Sequence, residues 1–256
     1  MIRHLLLCTV FILGISTNLP ALTPALPHIV FMIGEDEYHT WETLPDFAEK
    51  DLKPKGYQIT IIQQDPADKN QFPGLIPALE HADLLFLSVR RRTPPKEQLD
   101  AVRAYLASGK PLVGIRTACH AFALRPNDKI TDPKLAAWQD FDPEILGGHY
   151  VGHHGKDKVT VTAAPGSDSN PIMQGISVPK LVGNGGLYKV SPLAADTTAL
   201  LIGTIPDQPS EPIAWTRLQP GNHGRVFYSS LGHPDDFQNP EFRHFLLNAV
   251  VWALGK

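Results

Sequence analysis

Cysteine is nearly missing: the 256 residues hold two, Cys8 and Cys119, too few for the disulfide framework that staples small secreted domains. A cationic excess is missing as well. Lys and Arg number 23 against 26 Asp and Glu, a formal net charge of −3, which argues against the clustered basic surface of a nucleic-acid binder. No apolar run reaches the roughly 20 residues that a bilayer crossing takes. Neither a phosphate-binding loop nor a dinucleotide fingerprint occurs, and there is no internal repeat or low-complexity linker. Proline is abundant instead, 24 of 256 residues, roughly 9% against a usual 5% or so, and that density excludes a coiled coil or long-helix bundle. What remains is a globular composition, 43% hydrophobic, 8% aromatic and 19% charged, in a chain long enough to bury a core without disulfides or a structural metal.

Residues 1–25 stand apart. Met1-Ile2-Arg3-His4 is short and basic, residues 5–15 are mostly apolar, and small residues follow at Ala21 and Ala25. That order predicts a cleaved signal peptide, hence a secreted or periplasmic protein with no stable membrane insertion after cleavage. Cys8 leaves with it, so Cys119 is the lone thiol of the expected mature domain, 26–256.

From there strand and helix alternate. Apolar, partly β-branched runs predict strands over 28–33, 57–62, 82–89 and 112–115, with helices over 41–52 and 94–108 between them. Continuous apolar strands separated by helices indicate an α/β fold with a mainly parallel sheet covered on both faces. The second half differs: residues 163–219 are rich in Pro, Gly, Asp and Thr, with short strands expected at 158–162, 187–190, 199–205 and 212–216. A last strong strand, 225–230, precedes a terminal helix at 240–254 whose apolar stripe is Phe242, Phe245, Leu246, Ala249, Val250 and Ala253. One α/β domain with a β-rich insertion accounts for the pattern.

Ligands of open α/β sheets bind beyond the carboxyl ends of the strands. Polar clusters follow four predicted strands directly: Glu35-Asp36-Glu37-Tyr38-His39, Arg90-Arg91-Arg92, Arg116-Thr117-Ala118-Cys119-His120, and His233-Pro234-Asp235-Asp236. Glu35, His120 and His233 are expected to line one pocket as its catalytic acid–base groups, because the first and fourth strands are taken to flank the switch point. Cys119 is a candidate nucleophile, with His120 as base and Glu35 as its orienter, although the glycines of a nucleophile elbow are absent. The glycine-rich stretch 147–155 carries His149, His153 and His154 and is expected at the pocket rim. Imidazoles so placed suit a divalent metal such as zinc, with His120, His153 and His233 as the candidate ligands.

Five segments together resemble the trehalose-utilisation (ThuA-like) family: Ile33-Gly34-Glu35-Asp36-Glu37-Tyr38, Gly114-Ile115-Arg116-Thr117-Ala118-Cys119-His120-Ala121-Phe122, Leu146-Gly147-Gly148-His149-Tyr150, Leu187-Tyr188-Lys189-Val190, and the stretch from Gly224 through Arg225-Val226-Phe227-Tyr228 to Gly232-His233. The resemblance runs from about His28 to the C-terminus. It implies a flavodoxin-like doubly wound fold, similar to class I glutamine amidotransferases, and a role in catabolism of trehalose or related disaccharides around keto-sugar intermediates. It also implies site roles for His120, His149 and His233. On that expectation the ligand is a small carbohydrate, with Glu37, Arg90, Arg116, His149 and Asp235 as its binding residues. Two other functions compete: a cysteine hydrolase using Cys119-His120, and a carbohydrate-binding protein without turnover.

Overall fold

The computed structural model describes residues 26–155 and 157–256; the expected signal peptide, with Cys8, lies outside them. Strand β1 (His28–Gly34) is apolar along its length because both of its faces are covered. Ile29, Phe31 and Ile33 enter one core, while Val30 and Met32 enter a second core on the opposite face. Helix α1 (Thr40–Phe47) follows and runs on through a π-helical turn, Ala48–Leu52, and a short 3₁₀ turn. Gly56 ends it at φ 86°, a left-handed position that glycine takes without a Cβ penalty.

The alternation continues through β2 (Gln58–Gln63), α2 (Leu75–Glu80), β3 (Leu84–Val89), α3 (Lys96–Ala107) and β4 (Leu112–Ile115). Helix α2 has no counterpart among the predicted elements, because six residues that include Pro77 offer too little periodicity to show. After β4 the chain makes β5 (Gly152–His153), β6 (Val159–Ala163), β7 (Val182–Gly183), β8 (Tyr188–Lys189), β9 (Thr197–Thr204), β10 (Glu211–Leu218) and β11 (Arg225–Ser229), then α4 (Pro240–Ala253).

Nine strands form one sheet in the order β2-β1-β3-β4-β11-β10-β9-β6-β7. The first five are mutually parallel and the rest pair antiparallel. The fold is thus a flavodoxin-like mixed sheet, and the β-rich half extends it instead of forming a layer of its own. The segment expected as a strand over 187–190 is shorter. It forms a separate two-stranded ribbon in which His153 pairs with Tyr188 and Gly152 with Lys189.

Helices cover both faces: α1 and α4 pack on one core, α2 and α3 on the other. The apolar stripe predicted for α4 is its buried face. Arg243 ties α4 to the end of α1, with Nη1 2.9 Å from Asp46 and a second ion pair to Asp51. Among the described residues no helix is long and apolar enough to cross a membrane.

The strand order moves the switch point. The chain runs from β1 to β2 on one side and then crosses back to β3 on the other, so β1 and β3 flank the crevice. The expectation that the first and fourth strands flank it is corrected: β3 lies between them, and the site draws residues from the ends of β1, β3, β4 and β11.

Candidate functional site

A cavity of about 260 Å³ opens over these strand ends. Glu37 and Tyr38 reach it from the loop after β1, Arg90 from the end of β3, His120 from the turn after β4, and His233 from the loop after β11. The β5–β8 ribbon closes over the top with His153 and Tyr188, joined by Tyr150 and the Asn184-Gly185-Gly186 loop. A cavity of about 530 Å³ at the β6–β7 end of the sheet has Lys158 as its one ionisable lining residue.

His120 is a buried acid–base group of this cavity. It ends a single 3₁₀ turn, Arg116–His120, and is 5% exposed. Its ring stacks on Tyr150 at 4.3 Å between centroids and leans on Tyr188 at 6.1 Å. Nδ1 lies 3.2 Å from Cys119 Sγ, which leaves Nε2 without a protein partner among the described residues. Burial, then the guanidinium groups of Arg91, Arg90, Arg116 and Arg125, holds His120 well below the usual imidazole pKa. It is therefore neutral at pH 7.

Cys119 is poorly placed as a nucleophile. It is buried within the core beneath the turn and does not line the cavity. Burial pushes its thiol far above the ordinary range, whereas a reactive cysteine needs a lowered value.

Glu35 is also corrected. Its Oε2 accepts the backbone N–H of Glu37 and of Tyr38, both at 2.6 Å. Its Oε1 accepts the Thr40 backbone N–H at 2.7 Å and the Thr40 hydroxyl at 2.8 Å. The carboxylate is 1% exposed and fastens the loop that opens α1; it does not face the cavity or orient His120. An anion at a helix start is where backbone donors and dipole both favour it.

Arg116 lies behind the cavity. Its guanidinium is sandwiched between Tyr38 at 4.3 Å and Tyr188 at 4.6 Å and hydrogen-bonds the Ser230 carbonyl. A Cβ on Gly185 would overlap it, so that glycine is required by close approach. Arg116 packs between the two tyrosines and is not among the residues lining the cavity. Arg90 does line the cavity, with Nε 2.7 Å from Glu37 Oε2 in an ion pair that joins the β1 and β3 ends.

The third acidic expectation shifts by one residue. The Asp235 side chain is 71% exposed and outside the cavity. Buried Asp236 instead accepts the backbone N–H of Gly232 at 2.8 Å, of His233 at 2.9 Å and of Asn184 at 3.0 Å, plus Asn184 Nδ2 at 2.8 Å. It clips the Asn184 loop to the His233 turn, and only the turn geometry distinguishes it from its neighbour.

The histidine-rich stretch divides three ways. His153 faces the cavity. His149 stands on the other side of Tyr150, its Nδ1 3.0 Å from Asp142 Oδ2. His154 turns into the sheet, Nε2 3.0 Å from Glu211 Oε1. The set expected to hold zinc does not fit. Among the described residues no group of three His, Cys, Asp or Glu side chains converges as ligands. Nδ1 of His120 is taken by Cys119, and Nδ1 of His233 accepts the Asp235 N–H at 3.2 Å. The tyrosines were the signal missed: Tyr38, Tyr150 and Tyr188 each adjoin a polar cluster or glycine-rich segment.

Comparison with known proteins agrees with this architecture. The model of the trehalose-utilisation family, ThuA, matches residues 47–253. Among solved structures, a ThuA-like protein from Bacteroides uniformis superposes with a TM-score of 0.65 at 18% identity, covering 94% of this chain and 95% of that one. One from Parabacteroides merdae gives 0.62 at 15% identity, covering 90% and 91%. A β-galactosidase from Rahnella sp. R3 gives 0.55 at 13% identity, covering 90% of this chain and 31% of the larger enzyme. At these identities the solved structures attest the fold alone. No curated protein matches the sequence.

Proposed function

The chain belongs to the trehalose-utilisation (ThuA) family, and we propose that it is an exported enzyme of carbohydrate catabolism that performs acid–base chemistry on a sugar ring, His120 being the proton carrier. The observation that carries this is a neutral imidazole between tyrosine rings, with Nε2 unpartnered, over the strand ends. A sugar presents C–H faces and a rim of hydroxyls. Tyr150 and Tyr188 offer aromatic faces to the former, while Arg90, Glu37, His153, His233 and Asn184 offer donors and acceptors to the latter. On a keto-sugar, His120 Nε2 takes the proton from the carbon beside the ketone. The C–H electron pair moves into the carbonyl, and Arg90 is the arginine that lines the cavity to meet the resulting oxyanion.

The test is turnover of trehalose, its keto derivatives and related disaccharides by wild type, His120→Gln and Cys119→Ser. General-base loss typically costs 10²–10⁴-fold, so His120→Gln should lose activity on that scale while Cys119→Ser stays within a few-fold. Abolition by Cys119→Ser alone would instead establish the cysteine hydrolase. Export through residues 1–25 belongs to the same proposal, supported by their basic, apolar, small-residue order. N-terminal sequencing of the exported protein should find a start near residue 22 or 26, and a start at Met1 would refute it.

A further inference from the structure

Tyr150 walls more than one space. Together with His120 it also lines a second cavity of about 430 Å³, whose other residues include Arg91, Gln139, Asp142 and His149. The two cavities share the stacked His120–Tyr150 pair. The first alone, at about 260 Å³, is smaller than the roughly 300–1,000 Å³ of an ordinary small-molecule site, and the two together fall inside that range.

We propose that the second cavity is a separate subsite, and that the ligand is a two-ring saccharide lying across the His120–Tyr150 pair with one ring in each cavity. The inference rests on the carbohydrate function proposed above and specifies how much of the ligand the site holds.

The second cavity is built from polar groups. Asp142, 3% exposed, accepts the Tyr150 backbone N–H at 2.8 Å and faces His149 Nδ1 at 3.0 Å through one oxygen, Oδ2. That oxygen fixes the strap bearing Tyr150, so the ring is held against His120 by a buried carboxylate. Across the cavity Arg91 adopts φ 49°, a strained conformation for a side-chain-bearing residue. Its backbone N–H reaches the His120 carbonyl at 3.0 Å. Its Nη1 donates to the carbonyls of Ala123 at 3.2 Å and Leu124 at 3.1 Å, leaving Nη2 without a partner among the described residues. Donors on one wall, a carboxylate on another and an aromatic ring between suit a ring of hydroxyls that both donate and accept.

Ala123 lines the second cavity and not the first, so Ala123→Phe fills one subsite alone. Calorimetric titration with trehalose and with glucose, on wild type, Ala123→Phe and His149→Ala, gives the readout. Folding of each variant is checked by thermal melting. Wild type should bind the disaccharide at least tenfold more tightly than the monosaccharide. Ala123→Phe should erase that margin while leaving glucose affinity within about twofold, and His149→Ala should reduce it. Disaccharide affinity unchanged in Ala123→Phe, or equal loss of both sugars in a folded variant, overturns the second subsite. Binding of glucose with no preference for trehalose in wild type overturns it too, but leaves the sugar site standing. Binding of neither sugar refutes the proposed function and this inference with it.

Discussion

Glu35 shows how residue type and residue role part company. An acid just past the first strand is where a catalytic carboxylate would sit, yet this one spends both oxygens on four local donors. Glu35→Ala leaves those donors without their acceptor inside the fold, at about 1–3 kcal/mol for each one left dry. For a chain of this size a loss of 1 kcal/mol lowers the melting midpoint by roughly 2–4 °C. Several degrees of destabilisation are expected, with the pH dependence of turnover unchanged in shape. A variant that melts like wild type but loses one limb of its pH–rate profile would show Glu35 to be a cavity acid after all. The positions His120, His233, Arg90, Glu37 and His153, which line the cavity, were legible as candidates because each follows a strand or lies in a glycine-rich strap. The burial of Arg116 and the choice of Asp236 over Asp235 were not. Both depend on which way a side chain leaves a turn, which no periodicity records.

Among the elements, legibility follows burial. Strands β1, β3, β4 and β11 are sheathed on both faces, so their apolar runs stand out within a residue or two. The β5–β8 ribbon was half visible: its second strand falls inside the apolar segment 187–190, but its first is two residues of a glycine-rich strap. What holds the ribbon in place is tertiary. Glu211 at the start of β10 accepts the backbone N–H of Val190 at 3.2 Å and of Ser191 at 2.9 Å, and its other oxygen meets His154. Gly148 permits the strap to pass Trp215, since a Cβ there would stand 2.8 Å from the indole. The Trp215 Nε1–H donates to the Leu146 carbonyl at 2.7 Å just before it. The antiparallel half of the sheet thus carries the cover of a site whose floor belongs to the parallel half. A pattern-based reading can find each half, but the clasp between them lies in contacts some 57 residues apart.

At the scale of the whole molecule these ionic contacts set how stability responds to acid. His120 is held below its free value of about 6.5. Between that value and the native one the unfolded chain binds a proton that the native chain refuses, so stability falls as pH drops below about 6.5. The carboxylates act lower down. Burial raises Asp36, but hydrogen bonds from Lys69, Arg92 and Gln64 outweigh it and leave its pKa lowered. A hydrogen bond from Lys50, against burial, lowers Asp46 with help from Arg243. Burial likewise raises Glu211, and bonds from Ser191, His154 and Val190 outweigh that. Each lowered carboxylate contributes stability that is full above the unfolded values of about 3.9–4.3 and is lost as pH falls through its native value. Asp36 is half exposed, so its share is small and screened by salt. Asp142 has the opposite sign: burial raises its pKa, so protonation on acidification relieves a cost. The melting midpoint should therefore hold level between about pH 7 and pH 8, decline from about pH 6.5, and drop more steeply below about pH 4. His120→Gln should remove the first decline and keep the second. A wild-type midpoint that stays flat from pH 7 to pH 5 would mean that His120 is not held neutral, and the proton carrier assigned to the site would go with it.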